Sequence, residues 1–153
     1  MGLNGEESVT QWIHNIGVPA ALISYAYRTI QKSFAKELAP YNIGWGHFAI
    51  LVSLYEMEGR SQDSLALSRG FDKSMIAKSI VRLEKEGFVH REIDLDDKRM
   101  KRLYLTEKSR NLRSEMERIG YRLNEFLLRD FNADESVLAM RNLRKIALNA
   151  SEL

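Results

Sequence analysis

A helical hydrophobic period that lapses once into strand character, a Gly-linked helix pair just before that lapse, and a cationic turn inside it together predict the fold class. It is mainly α, an α+β winged helix-turn-helix with six helices and a two-stranded β-hairpin in the order α-α-α-α-β-β-α-α. Pro19 stands where the first helix begins, and Ile23, Ala26, Tyr27, Ile30, Phe34 and Leu38 recur at three- and four-residue spacing as one buried stripe. Pro40 stops that helix, and 41–44 connects it to the next. The second helix runs from about Trp45 to Met57, with Phe48, Leu51, Val52 and Tyr55 inward, and Gly59 ends it.

Two helical units follow. Ser61 caps a short one reaching Leu67, Arg69-Gly70 makes the turn, and Asp72 caps a longer one to about Glu86. Ile76, Ile80 and Leu83 form the inner stripe of the longer helix, and Gly87 closes it. The period then changes to two. Phe88, Val89, Arg91 and Ile93 read as one strand and Leu103-Tyr104-Leu105-Thr106 as its return, around a polar turn spanning 94–101. Thr106 caps the fifth helix, with Leu112, Met116, Ile119, Leu123, Phe126 and Leu127 on its apolar side. A sixth opens at Asp134 and is expected to bury Val137, Leu138, Leu143 and Ile146.

Composition narrows the chemistry. The 153 residues are 44% hydrophobic and 29% charged, enough for one compact core and too apolar for a disordered chain. No apolar run approaches the roughly 18 residues of a bilayer-spanning helix, so no membrane partner is expected. The polar, acidic stretch Met1 to Thr10 offers no secretory apolar core and reads as a tail. The absence of cysteine excludes disulfides, thiolate zinc sites and iron–sulfur clusters, and fits a cytoplasmic protein. His14, His47 and His90 stand in no metal-ligand spacing, and neither a nucleophile elbow nor a phosphate-binding glycine loop occurs. The reading is therefore of a non-enzyme without cofactor or metal.

Charge distribution says more than the net value of +2. Residues 60–106 hold eleven Lys/Arg against eight Asp/Glu, whereas the remainder holds twelve against thirteen. On the helix opened by Asp72, Lys73, Ser74, Ala77, Lys78 and Arg82 fall mostly away from the inner stripe. Such a helix fits the major groove of duplex DNA. Lys73 and Lys78 are suited to guanine or phosphate, Ser74 to either, and Met75 and Ala77 to a thymine methyl. Cations on an outer helix face also suit plain solvation. The hairpin decides for DNA: Lys98, Arg99, Lys101 and Arg102 crowd five positions, as a wing entering a narrow, negative minor groove requires. Asp97 and Arg99, two apart, can share a face and stiffen that tip. Ser61, at the head of the helix pair, completes the candidate contacts. The competing reading is a winged-helix protein-interaction module without ligand response, whose outer helix would carry apolar anchors.

These residues resemble the MarR family of winged-helix regulators over nearly the whole chain, most strongly from Ser61 to Ser109. Asp72-Lys73-Ser74-Met75-Ile76-Ala77-Lys78, closing with Arg82-Leu83-Glu84-Lys85-Glu86-Gly87-Phe88-Val89, is similar to the family's recognition helix. Asp97-Lys98-Arg99 followed by Leu103-Tyr104-Leu105-Thr106 is similar to its wing signature. Ser79, Ser109 and Arg69 depart from the pattern, as do Met75 and Ala77, which stand where Thr is frequent. The resemblance implies a DNA-binding transcriptional regulator, a repressor acting as a homodimer. Residues 1–40 and 107–153 would form the helical dimerisation region and 41–106 the DNA-binding region. Val9 to Ile16 would pack in the dimer, and two recognition helices would face a pseudo-palindromic operator with half-sites roughly 34–36 Å apart. It further implies release by a small aromatic or phenolic anion, for which Tyr25, Tyr27, Arg28, Trp45 and His47 are candidate contacts. Trp45 and the tyrosines would serve a plain core as readily.

Overall fold

The computed structural model describes residues 5–153, so Met1–Asn4 of the expected tail lie outside the described residues. Eight α-helices and three short strands are present among them: α1 (Gly5–Asn15), α2 (Pro19–Leu38), α3 (Trp45–Glu56), β1 (Arg60–Ser61), α4 (Gln62–Arg69), α5 (Lys73–Lys85), β2 (Val89–Ile93), β3 (Lys101–Leu105), α6 (Glu107–Asn111), α7 (Arg113–Leu128) and α8 (Ala133–Ala150). The class is the expected one, and the helix count is eight rather than six. The added helix α1 comes from the segment read as apolar packing material. The fifth expected helix is split at Leu112 into α6 and α7.

The hairpin is also larger than expected. The sheet has three antiparallel strands in the order β1-β3-β2, so β3 is central. Val89 lies opposite Leu105 and Ile93 opposite Lys101, while Arg60 and Ser61 pair with Leu103 and Arg102. A two-residue strand carries no readable alternation, which is why the sequence did not announce it. Gly59 leads into it at φ +75°, with the Tyr104 hydroxyl 3.4 Å from where a Cβ would stand. Both the backbone and the space there favour glycine.

α3 is the centre of the core. Phe48, Ile50, Leu51, Leu54 and Tyr55 are all buried, so it is apolar around most of its circumference rather than along one stripe. Ser53 is buried with them and its hydroxyl donates to the Ala49 carbonyl at 2.9 Å. From α5 the core takes Ile76, Ile80 and Leu83, as the period predicts, and from the sheet Phe88, Val89, Leu103 and Leu105. Ser109, a departure from the family pattern, is buried and fully engaged. Its hydroxyl donates to the Phe88 carbonyl (2.6 Å) and its carbonyl accepts from the Tyr55 hydroxyl (2.9 Å).

The chain divides into two compact units, one ending at Asn111 and the other Leu112–Leu153. In the first, Phe34 and Leu38 of the α2 stripe are buried, whereas Ile23 and Tyr27 are exposed. In the second, Met116 and Ile119 are buried, but Phe126 and Leu127 are exposed. The expectation that α8 buries Val137, Leu138, Leu143 and Ile146 is corrected: all four are exposed, and none of its residues is buried. Periodicity identifies an apolar face without identifying what covers it.

Candidate nucleic-acid interface

α4 and α5 form the helix-turn-helix. Ser61 caps α4 by accepting the Ser64 N–H at 3.1 Å, and Gly70 ends it at φ 63°, a left-handed position. Asp72 then caps α5, accepting the Met75 N–H at 2.9 Å and the Ser74 hydroxyl at 2.5 Å. The Ser74 hydroxyl first, then the Met75 amide, holds the Asp72 carboxyl below its ordinary value. The cap's own carboxylate takes an amide that a phosphate at this helix N-terminus would need.

The buried stripe of α5 fixes its outward face. Ser74, Lys78, Val81 and Lys85 are exposed at four-, three- and four-residue spacing, with Lys73 beside them; Met75 and Ala77 are half-buried at its margins. The Met75 sulfur accepts the Ser79 hydroxyl at 3.5 Å, so that side chain is turned partly inward. Lys73 meets Asp63 at 3.2 Å, but both are about three-quarters exposed, and such a pair contributes only about 0–1 kcal/mol that a phosphate can replace. Arg82 is held differently. It pairs with Glu86 at 3.1 Å and donates to the Asn42 carbonyl at 3.4 Å, while the Asn42 amide donates to Glu86 at 2.9 Å. Arg82 thus ties the end of α5 to the corner after α2, where Asn42 sits at φ 58°.

In the wing, the 94–100 turn joins β2 to β3. Asp97 accepts the backbone N–H of Arg99 (3.0 Å) and its own carbonyl accepts that of Met100 (2.8 Å). The expected Asp97–Arg99 partnership is therefore carboxylate to main chain, which fixes the backbone beneath Arg99 and leaves its guanidinium outside. Lys98, Arg99 and Lys101 are exposed and, with Lys78, are in no ion pair among the described residues. Arg102 does the opposite. Its Nε donates to Asp94 and its terminal nitrogen to the Gly59 carbonyl at 2.8 Å. Asp94, in the polar turn read from the sequence, is buried. The signal that finds it is the Asp-x-Asp-Asp run, since an Asx turn draws the first carboxylate back onto the following amides.

The Asp94 carboxyl is held below its ordinary value of 3.8 by the Asp97 amide first, then Arg102 and the Asp96 amide. A carboxylate lowered on folding stabilises above its unfolded value and loses that contribution as pH falls through the lowered one. Amide exchange at Asp96 and Asp97 is expected to quicken, relative to its intrinsic rate, only below about pH 3.8. In Asp94→Asn that acid step should vanish; wild-type protection that stays level through the acid range would contradict the assignment.

The candidate ligand residues have different surroundings among the described residues. Trp45, half-buried, packs against Phe34 and Phe48 at centroid distances of 5.1 and 5.9 Å. His47 Nδ1 accepts the Gly44 N–H at 3.0 Å and so caps α3; burial first, then the charge of Arg82, holds its pKa below the ordinary value. Tyr25 and Arg28 do line an open hollow of about 320 Å³ with Val9 and Trp12, and the Trp12 and Tyr25 rings lie 5.6 Å apart. The Arg28 guanidinium donates to Ser24 at 2.6 Å there. Tyr27 is half exposed, its hydroxyl accepting from Gln31 at 2.8 Å.

A capped helix presenting lysines outward, a preceding helix at a tight turn, and a three-stranded wing with a cationic tip define a winged helix-turn-helix that reads DNA. The MarR family model matches residues 43–101, from the start of α3 to the wing. The chain is 30% identical over 104 residues, 68% of its length, to YybA of Bacillus subtilis, an uncharacterized HTH-type transcriptional regulator of which it covers 69%. It is 34% identical to a MarR transcriptional regulator from Methanosarcina mazei, with a TM-score of 0.80 over 87% of this chain and 96% of that one. The fold is also that of MepR from Staphylococcus aureus, solved as a DNA complex, at 18% identity with a TM-score of 0.80 over 89% and 99% of the two chains. The chain belongs to the MarR family, as a DNA-binding transcriptional regulator.

Lys78→Ala is expected to weaken binding to the selected operator by roughly 1–3 kcal/mol if the lysine meets a base edge. The same titration on random duplex checks it, because an equal loss there reassigns Lys78 to phosphate.

Proposed function

We propose that the protein is a cytoplasmic homodimeric repressor, not an enzyme, that occupies a pseudo-palindromic operator and leaves it when a small aromatic anion binds. The observation that carries the DNA reading is the division of unpaired, exposed cations between α5 (Lys78, Lys85) and the wing (Lys98, Arg99, Lys101). One set suits the major groove and the other the flanking minor groove. The region 41–106 does the reading, and MepR's capture with DNA supports the use of this fold for it.

Residues 1–40 and 107–153 supply the dimer. What supports this is apolar surface without a cover: Trp12 at 39% exposure on α1, and Val137 at 70% and Leu143 at 51% on α8. Faces of this kind mark an interface. Two-fold pairing then presents two α5 helices one helical turn apart, and a bound dimer silences a promoter by occupancy. For release, the hollow at Trp12, Tyr25 and Arg28 combines aromatic walls with one cation, the chemistry of an aromatic carboxylate site. Salicylate at millimolar concentration is expected to abolish retardation of the operator duplex, and Arg28→Ala to make the complex insensitive to it. An unchanged retardation curve with the wild-type protein rejects this effector class.

A further inference from the structure

Arg102 and Asp94 form a clasp across the whole sheet. Arg102 sits on the central strand, opposite Ser61 on one side and Glu92 on the other. It bypasses Glu92, which instead meets His90 at 3.0 Å, and reaches Asp94 at the end of β2 and the Gly59 carbonyl at the start of β1. Asp94 in turn accepts the Asp96 and Asp97 amides at 2.8 and 2.9 Å, and its own N–H bonds the Met100 carbonyl at 3.0 Å. The next carboxylate along, Asp97, holds the Arg99 amide at 3.0 Å. A continuous chain of hydrogen bonds therefore runs from the sheet's far edge to the backbone of Arg99. The Asp94 carboxylate at the centre of this chain is only 5% exposed, and Arg102, whose side chain is 41% exposed, commits two guanidinium nitrogens within the subunit.

We propose that Asp94 and Arg102 are positioning residues that set the angle of the wing, so that Arg99 enters the minor groove while α5 occupies the major groove. The proposal rests on the wing-to-DNA reading above. A flexible hairpin carrying the same cations would still attract phosphates, but would lose the ordering that lets one guanidinium select a narrow groove. Arg102 therefore acts through Arg99, in place of the direct DNA contact that its charge suggested.

The test is a double-mutant cycle on the full chain, with a duplex selected by the wild-type protein and the same duplex carrying G·C in place of A·T flanks. Arg99→Ala and Arg102→Gln are each expected to lower affinity for the A·T-flanked duplex by about tenfold and to erase the preference over G·C flanks, and the double variant should lose little more. Hydroxyl-radical protection should disappear at the flanks and persist at the half-site centres. Asp94→Asn retains an oxygen to accept the Asp96 and Asp97 amides and should show a smaller, equally non-additive loss; it serves where Arg102→Gln lowers the melting temperature. Losses that add would make Arg102 a DNA contact and overturn the proposal alone. So would flanking and central protection that fade together, the mark of a merely structural role. An Arg99→Ala variant that binds like wild type removes the wing reading itself, and the proposal with it.

Discussion

Raising the salt from about 50 to about 200 mM is expected to lower operator affinity by roughly 10³- to 10⁵-fold. The basis is a count of cations on the outward face of α5 and at the wing tip that no ion pair within the subunit holds. Lys78, Lys85, Lys98, Arg99 and Lys101 give five per subunit and ten in a two-fold pair, within the range of about six to ten phosphate contacts for which such a loss applies. Arg82 and Arg102 are left out because Glu86 and Asp94 hold them. Retardation across a salt series gives the slope directly. A slope equivalent to about four or about six released counterions would mean that only α5 or only the wing meets DNA.

The second large effect concerns α8. Leu143→Asp with Ile146→Asp should convert the dimer to monomers and lower operator affinity by roughly 10²- to 10⁴-fold, because the second half-site is then no longer bound by a linked partner. Leu143 and Ile146 are 51% and 39% exposed, so the charges enter water in the separate subunit and should leave its fold intact. Sedimentation and circular dichroism together check both halves of the expectation. A variant that stays dimeric with native affinity would move the interface elsewhere.

The DNA-reading elements were legible in the sequence because local chemistry dictates them. An Asp cap, a three-four apolar period and a closing glycine define α5 without help from the rest of the chain. Ser61 and Asp72 both cap where their positions predict. Three kinds of feature were not legible. Strand β1 is too short to show a period, and the break at Leu112 has no Pro or Gly to mark it. The faces of α2, α7 and α8 that the period labels apolar are partly or wholly uncovered, because the period of one helix does not say what packs against it. The third is the direction of a charge. Nothing in Lys98-Arg99-Met100-Lys101-Arg102 distinguishes the guanidinium that reaches out from the one that turns in; strand register and the buried Asp94 decide it. His47 is a similar case, since nothing in the sequence shows that its ring caps α3.

Groove-resolved crosslinking tests most directly whether α5 and the wing address a single duplex. Photoreactive side chains installed separately at positions 78 and 99 should mark major-groove bases at two places roughly 34–36 Å apart and minor-groove sugars on their flanks. Crosslinks from only one of these positions, or none from either at about 50 mM salt, would contradict the account.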